Sequence, residues 1–501
     1  MMGLQSSFQH KLFVMGFNLE KRIRNDHILR KILEKIDFNF IYREVKDTYG
    51  ENGNVSVPPP VILKMMLLLT LFNVRSEREL METIPLRLDW LWFLGYNIDT
   101  EIPNHSVLSK ARTRWGVAAF KRFFEHIVWQ CVEAGLIDGT KLFLDSSLID
   151  ANASNNSVID SHSLKRYLTK GYRHLERKLD ELTTEKTTPA NSRYISSTDP
   201  DASMTRHGGG KSKLRYKTHR AVDPQNEVIT ATAITPGSVD DGEMLKEMIE
   251  THKENAHKDV DTVVADSRYG TIDNFLLCHD LGVKAHIPSL EETQRGSGRK
   301  RGIFPQGAFS YDPETDTFTC PAGQVLKRGK LYKYRNHYEY RASAKACTHC
   351  ELRDQCTRSK GGRTLKRHAM QDELDSMLTH ANGREAKRDI NTRQHLSERS
   401  FARSTRYGYK RSRWRRLWRV TIQDFLIAAI QNIMVLIKVS KEKISKSNAQ
   451  IGHSIGVQGA TWEAFSMRSL RMWFASHLTL PFSWNKPAFQ RQAHFIRQNP
   501  L

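Results

Sequence analysis

The spacing of apolar positions changes twice along this chain. Over residues 18–50, Ile23, Ile28, Leu29, Ile32, Leu33 and Ile36 recur at helical intervals, with Lys and Arg between them. After a loop over Gly50–Pro60, Val61–Leu71 reads as a strongly apolar helix entered through a proline run. Ser76–Ile84 and Leu86–Leu94 read as further helices, and Asn104-His105-Ser106 offers caps for a basic helix through Arg114. From Lys141 the pattern shortens to strands. Leu142–Leu144 is the first, followed by a long polar connection over 152–210 with one expected helix near Leu164–Leu182. Leu214–Val222 and Glu227–Thr235 flank the turn Asp223–Asn226. Gly242–His252 reads as a helix, Asp261–Ala265 as a buried strand and Asn274–Leu281 as the helix after it. Residues 288–370 break this rhythm with a Gly/Arg/Lys loop, Gln294–Gly302, and a Cys-rich stretch, and helical spacing returns near Asp372. The order predicts helices first, then a mixed α/β domain.

Two strands end in carboxylates, Leu142-Phe143-Leu144-Asp145 and Val263-Val264-Ala265-Asp266. Acids delivered to neighbouring strand ends can share a divalent cation. A third acid, Glu398, stands alone in Arg393–Arg419, which carries ten Lys or Arg. A lone strand-end Asp is more often a turn cap than a catalyst. Charge changes that weighting, because the 501 residues carry 77 Lys+Arg against 55 Asp+Glu, a net +22. Such a surface attracts polyanions, so nucleic acid is the expected partner, with an unusually basic soluble enzyme as the alternative. Phosphodiester chemistry uses carboxylate-held cations, and Mg2+ (or Mn2+) needs only a few acids. Asp145, Asp266 and Glu398 are therefore the candidate catalytic and metal residues.

Lys110, Arg112 and Arg114 on the basic N-terminal helix fit either a helix-turn-helix-like DNA contact or the solvated face of a bundle. Arg399, Arg403, Arg406, Lys410, Arg411, Arg413, Arg415 and Arg416 are expected to track phosphates. Among them, Trp414 and Trp418 would either stack on an unpaired base or pack in a core. Cys320, Cys347, Cys350 and Cys356 have the spacing C-x26-C-x2-C-x5-C, which suits Zn2+ holding together an insertion with little apolar core. Cys131 and Cys278 read as core residues. Six Cys are too few for a disulfide scaffold, which points to a reducing, cytoplasmic setting. Val420–Val439 is the most membrane-like segment, but Gln423, Asp424, Gln431 and Asn432 make it a poor span and a better buried helix. His207–Ser212 lacks the first Walker glycine, since Thr205 stands there, so nucleotide hydrolysis is rejected.

Several motifs in order resemble the DDE transposases of bacterial insertion sequences, in the branch with a Cys-rich insertion before the last acid. They are Asp26–Arg30, Ser76–Leu80, Trp92–Gly95, Pro103–Ser106, Leu144–Ala153, Tyr216–His219, Thr235–Asp241, Ala265–Gly270 and Glu398–Phe401. The resemblance implies an all-α N-terminal DNA-binding domain over 1–135 and a tail over 441–501. Between them, over 136–440, it implies an RNase H-like mixed-sheet catalytic domain with its Cys-rich insertion at about 290–370. It also implies two-metal chemistry at Asp145, Asp266 and Glu398. The expected activity binds the terminal inverted repeats of an element as a homodimer or higher oligomer, cuts double-stranded DNA and joins the 3′-hydroxyl ends to target DNA. A DNA-binding copy that no longer cuts, or a nuclease without strand transfer, are the rivals. Related transposases often place Tyr seven and Arg four residues before the last Glu. Here those positions are Asn391 and Gln394, with Arg393 one step away and Glu385 as the fallback acid.

Overall fold

A computed structural model describes residues 2, 18–51, 54–160, 194–206, 209–290 and 302–454, with side chains as far as residue 439. The expected helix near Leu164–Leu182, most of the Gln294–Gly302 loop, part of His207–Ser212 and the tail beyond Ser454 lie outside the described residues. Residues Met1–Lys441 pack as one unit and Glu442–Leu501 form another.

The N-terminal region is helical, with α1 (Ile28–Lys35), α2 (Pro59–Leu71), α3 (Glu77–Thr83), α4 (Leu88–Leu94) and α5 (Ser106–Glu133). Pro59 and Pro60 open α2, where their missing N–H groups cost nothing, and the helix is buried on every side from Pro59 to Thr70. Ser76 caps α3 by accepting from the Glu79 N–H at 3.1 Å, and Gly95 ends α4 at φ 78°. The basic helix expected through Arg114 breaks two residues later, and a second helical stretch follows to Glu133. The break is at Gly116, whose φ of 65° and ψ of −169° suit only glycine.

The main sheet is built from β1 (Lys141–Asp150), β2 (Lys213–Val222), β3 (Ile229–Pro236), β4 (Thr262–Val264) and β5 (Lys284–His286), with α6 (Leu245–Ala256) and α7 (Ile272–Asp280) between strands. Its order is β3-β2-β1-β4-β5, antiparallel across the first three and parallel from β1 through β5. Ser203–Thr205 also pairs with β2. This is the mixed α/β sheet expected after a helical N-terminal region. Side chains alternate across it. Leu142, Leu144, Val263 and Ala265 join α6, α7 and the later α8 (Gln371–Ala381) in one core. Phe143 and Val264 point the other way and meet Leu396 of α9 (Arg384–Thr405).

The last helix, α10 (Leu417–Ser454), shares a single core with the N-terminal helices and with Tyr216, Val222, Ile229 and Ile234 of the sheet. Its segment Leu417–Val439 is long and apolar enough to cross a membrane, yet 89% of the most apolar window is buried inside the protein. The four polar residues in it serve as docking contacts. Asp424 takes Arg220, Thr218 and Thr232, Gln431 donates to Ser404, and Asn432 exchanges two hydrogen bonds with the Ile229 backbone. Gln423 accepts from the Arg413 N–H at 2.7 Å.

The Cys-rich insertion differs from expectation in one respect. It is a five-stranded antiparallel meander with a small core of its own, formed by Phe309, Phe318, Leu326, Tyr340 and Leu365.

Candidate active site

The last parallel rung between β1 and β4 pairs Phe143 with Val264, and Asp145 and Asp266 each lie two residues beyond it. Shared register is what brings them together, with Asp145 in the middle of β1, which runs on to Asp150 rather than ending at the acid as expected, and Asp266 just past the end of β4. Asp145 Oδ1 accepts from the Ser146 N–H at 2.8 Å, and its Oδ2 lies 2.8 Å from Arg393 Nη1 on α9. Burial pushes the Asp145 carboxyl above its ordinary value, against Arg393, the Ser146 N–H and a Ser397 hydroxyl bond, and Asp266 adds to the rise. Asp266 Oδ1 accepts from the Arg268 N–H at 2.9 Å in an Asx turn.

Behind the pair, Tyr269 is fully buried, and burial together with Asp241, Asp145 and Asp266 holds its hydroxyl far above the usual range. That hydroxyl lies 3.3 Å from His219 Nδ1, while His219 Nε2 faces the Thr235 hydroxyl at 3.0 Å. Burial depresses His219 to about 4, so its ring is neutral at pH 7. Asp241 lies 2.9 Å from Lys217 and 3.5 Å from Arg268. The Tyr216–His219 and Thr235–Asp241 motifs thus build one wall of the site. In front lies a cleft of about 1090 Å3, lined by Ser146 and Ser147, by the acids Asp150, Asp240, Asp241 and Asp266, and by the cations Arg206, Arg215, Lys217, Arg268 and Lys410, of which Arg215 pairs with Asp150 and Lys217 with Asp241.

Glu398 does not join the pair. On α9 the row facing the sheet is Ala386, Arg393, Ser397, Ser400 and Ser404. Glu398, one residue or about 100° past Ser397, is exposed and accepts from Gln394 Nε2 at 3.2 Å. Glu385 is also outside, exposed and 3.5 Å from Lys141 at the start of β1. Among the described residues, no group of three or more His, Cys, Asp or Glu side chains is arranged to hold a metal ion. The acids therefore do not fit Mg2+ or Mn2+ as they stand, since a guanidinium engages Asp145 and the third acid faces away. The four thiols Cys320, Cys347, Cys350 and Cys356 do line one cavity. Gly362, at φ 88°, leaves room for Cys347 Sγ, which a Cβ there would meet at 2.9 Å. They too fall short of a closed ligand set.

The expected DNA-contacting cations divide. Lys110, Arg406, Lys410, Arg411 and Arg415 are exposed, as is Arg114, whose guanidinium lies over Tyr49 at 4.6 Å. Arg399 and Arg403 are exposed but pair with Glu227, and Arg416 pairs with Asp201 at 3.7 Å. Arg112 and Arg413 are corrections. Arg112 is buried against Glu77 and lies 4.0 Å over the Trp414 ring. Arg413 is sunk against the N-terminal region, donating to Val74 O and to Asn73 Oδ1. Trp414 is engaged likewise, donating to Glu77 at 3.1 Å. Sequence reasoning passed over Arg206, Arg215 and Arg268 because they are scattered singly along the chain and only the fold gathers them.

Residues 17–114 match the family model described as a transposase domain (DUF772), and residues 319–437 match that of the transposase DDE domain. These matches support a DDE transposase. The second spans Glu398 and the four cysteines, while Asp145 and Asp266 lie outside both. No curated protein matches the chain. Among solved structures, a piggyBac transposase synaptic complex with hairpin DNA is similar at 12% identity, covering 92% of this chain and 84% of its own, with a TM-score of 0.31.

Proposed function

We propose that this chain is a DNA transposase that binds the ends of its element, cuts there and joins the freed ends to target DNA. The carrying observation is the strand register that sets Asp145 beside Asp266, with Asp266 lining a cleft that also holds five cations. Acids at the centre with Lys and Arg around them suit a phosphodiester backbone, whose charge the cations neutralise. Water cleaves one P–O bond and leaves a 3′-hydroxyl. That hydroxyl then attacks a target phosphorus, forming one P–O bond as another breaks, so the joining step needs no outside energy source. Asp145, Asp266 and Glu398 are the acids proposed to serve this chemistry with Mg2+ or Mn2+, and a homodimer or higher oligomer is proposed to hold two ends together.

The test is a cleavage and strand-transfer assay on labelled element ends, with and without magnesium. Cutting and joining that vanish in Asp145→Asn and Asp266→Asn support the proposal. Binding without cutting in the wild type supports the inactive copy, and cutting without joining supports a nuclease. For the insertion we propose a structural zinc at Cys320, Cys347, Cys350 and Cys356, supported by their shared cavity. Purified protein should carry about one equivalent and Cys350→Ser should lose it. Metal-free protein with four titrating thiols would leave the small apolar core as the sole support.

A further inference from the structure

We propose that Arg393 is a resident counter-cation: its guanidinium engages the Asp145 oxygen that a divalent cation would need and sets how tightly the acid pair binds one. This inference rests on the reading of Asp145 and Asp266 as the metal-binding acids.

Three observations carry it. First, Arg393 Nη1 lies 2.8 Å from Asp145 Oδ2, with both side chains largely buried, so it directly occupies a carboxylate oxygen that a metal needs. Second, Arg393 is poorly satisfied elsewhere, because its Nε is buried without a hydrogen-bond partner. A guanidinium kept in place by one carboxylate, and with a donor left over, is suited to leave when a stronger partner arrives. Third, α9 carries two parallel i,i+4 rows that differ by one residue. Arg393 and Ser397 face Asp145, whereas Gln394 and Glu398 bond each other on the exposed row. The helix therefore offers the acids a cation where a third acid would be expected. Its register is held by Arg220, which donates to Ser400 and Ser404 from below. Release of the Arg393 side chain needs no movement of that anchor.

Charge decides the sign. Two carboxylates and one guanidinium leave a single negative charge for an incoming cation, and the guanidinium also repels it at close range. Neutralising Arg393 should tighten divalent-ion binding by at least about tenfold, whereas Arg393→Lys should stay near wild type.

The experiment titrates Mn2+ into the full-length, DNA-free protein and follows free Mn2+ by electron paramagnetic resonance. Wild type, Arg393→Gln, Arg393→Lys, Asp145→Asn and the double variant Arg393→Gln/Asp145→Asn are compared. The expected result is tighter binding in Arg393→Gln, a gain erased in the double variant, and a larger Mn2+-induced rise in Tm for Arg393→Gln than for wild type. That rise also reports whether the variant is folded. If binding depends on Asp145 but Arg393→Gln matches wild type, the counter-cation role is overturned while the acid pair stands. Binding that ignores Asp145→Asn, or none in any variant, overturns the acid pair itself and this inference with it.

Discussion

Ser397 and Glu398 are chain neighbours that point about 100° apart on α9, and only Ser397 reaches Asp145. Glu398→Gln should abolish cleavage, as the resemblance requires, yet leave the Mn2+ affinity of DNA-free protein unchanged, since the acid faces solvent there. Loss of both together would place Glu398 at the pair before DNA arrives. Both acids were legible in the sequence because each follows a short continuous apolar run, but the end of β1 was not, since that strand runs past Asp145 to Asp150. The facing of Glu398 was not, because a basic, Ser-rich helix such as Arg384–Thr405 has few apolar positions to mark its inward row. His219 gives a second test. Its ring titrates near 6.5 when unfolded and near 4 when buried. Between those values the unfolded chain holds a proton that the folded one refuses, so stability falls as pH drops through that window. Between pH 6.5 and 5 the loss is roughly 2 kcal/mol. Urea unfolding at pH 7 and pH 5 should show this difference shrink in His219→Gln.

At the scale of elements, the basic run from Arg399 to Arg416 is less a DNA-binding strip than a joint with a few exposed cations. Arg413→Glu should destabilise the protein by on the order of 2 kcal/mol, because it removes a half-buried guanidinium from Val74 and Asn73 and sets an acid against the Val74 carbonyl. Arg411→Glu with Arg415→Glu should instead keep Tm while weakening DNA binding and flattening its salt dependence. Equal effects on Tm from both sets would overturn the distinction. Composition could announce this run as basic, but it could not say which guanidinium turns inward. That depends on partners such as Asn73, hundreds of residues away in sequence. The insertion was misjudged for a related reason: its core residues Phe309, Phe318, Leu326, Tyr340 and Leu365 are spaced too widely to stand out.

For the whole molecule, the helical region and the sheet are legible as separate patterns, but their union is not. Val420–Ile437 lies in the same core as Leu29, Leu67 and Phe124. Residues 1–135 made alone should therefore bind a hydrophobic dye and melt without cooperativity, whereas residues 1–441 should melt sharply. A sharp transition in the short fragment would show that it folds unaided.

That union has a consequence in time. The helix that completes the N-terminal core emerges from the ribosome roughly 280 residues after α5, a wait of roughly 15–60 s at ordinary rates of synthesis. Through that interval the apolar faces of α2 and α5 have no final cover, and a chain that stops early never receives one. Prematurely terminated products should then be cleared by proteases, so that only finished copies of the protein accumulate.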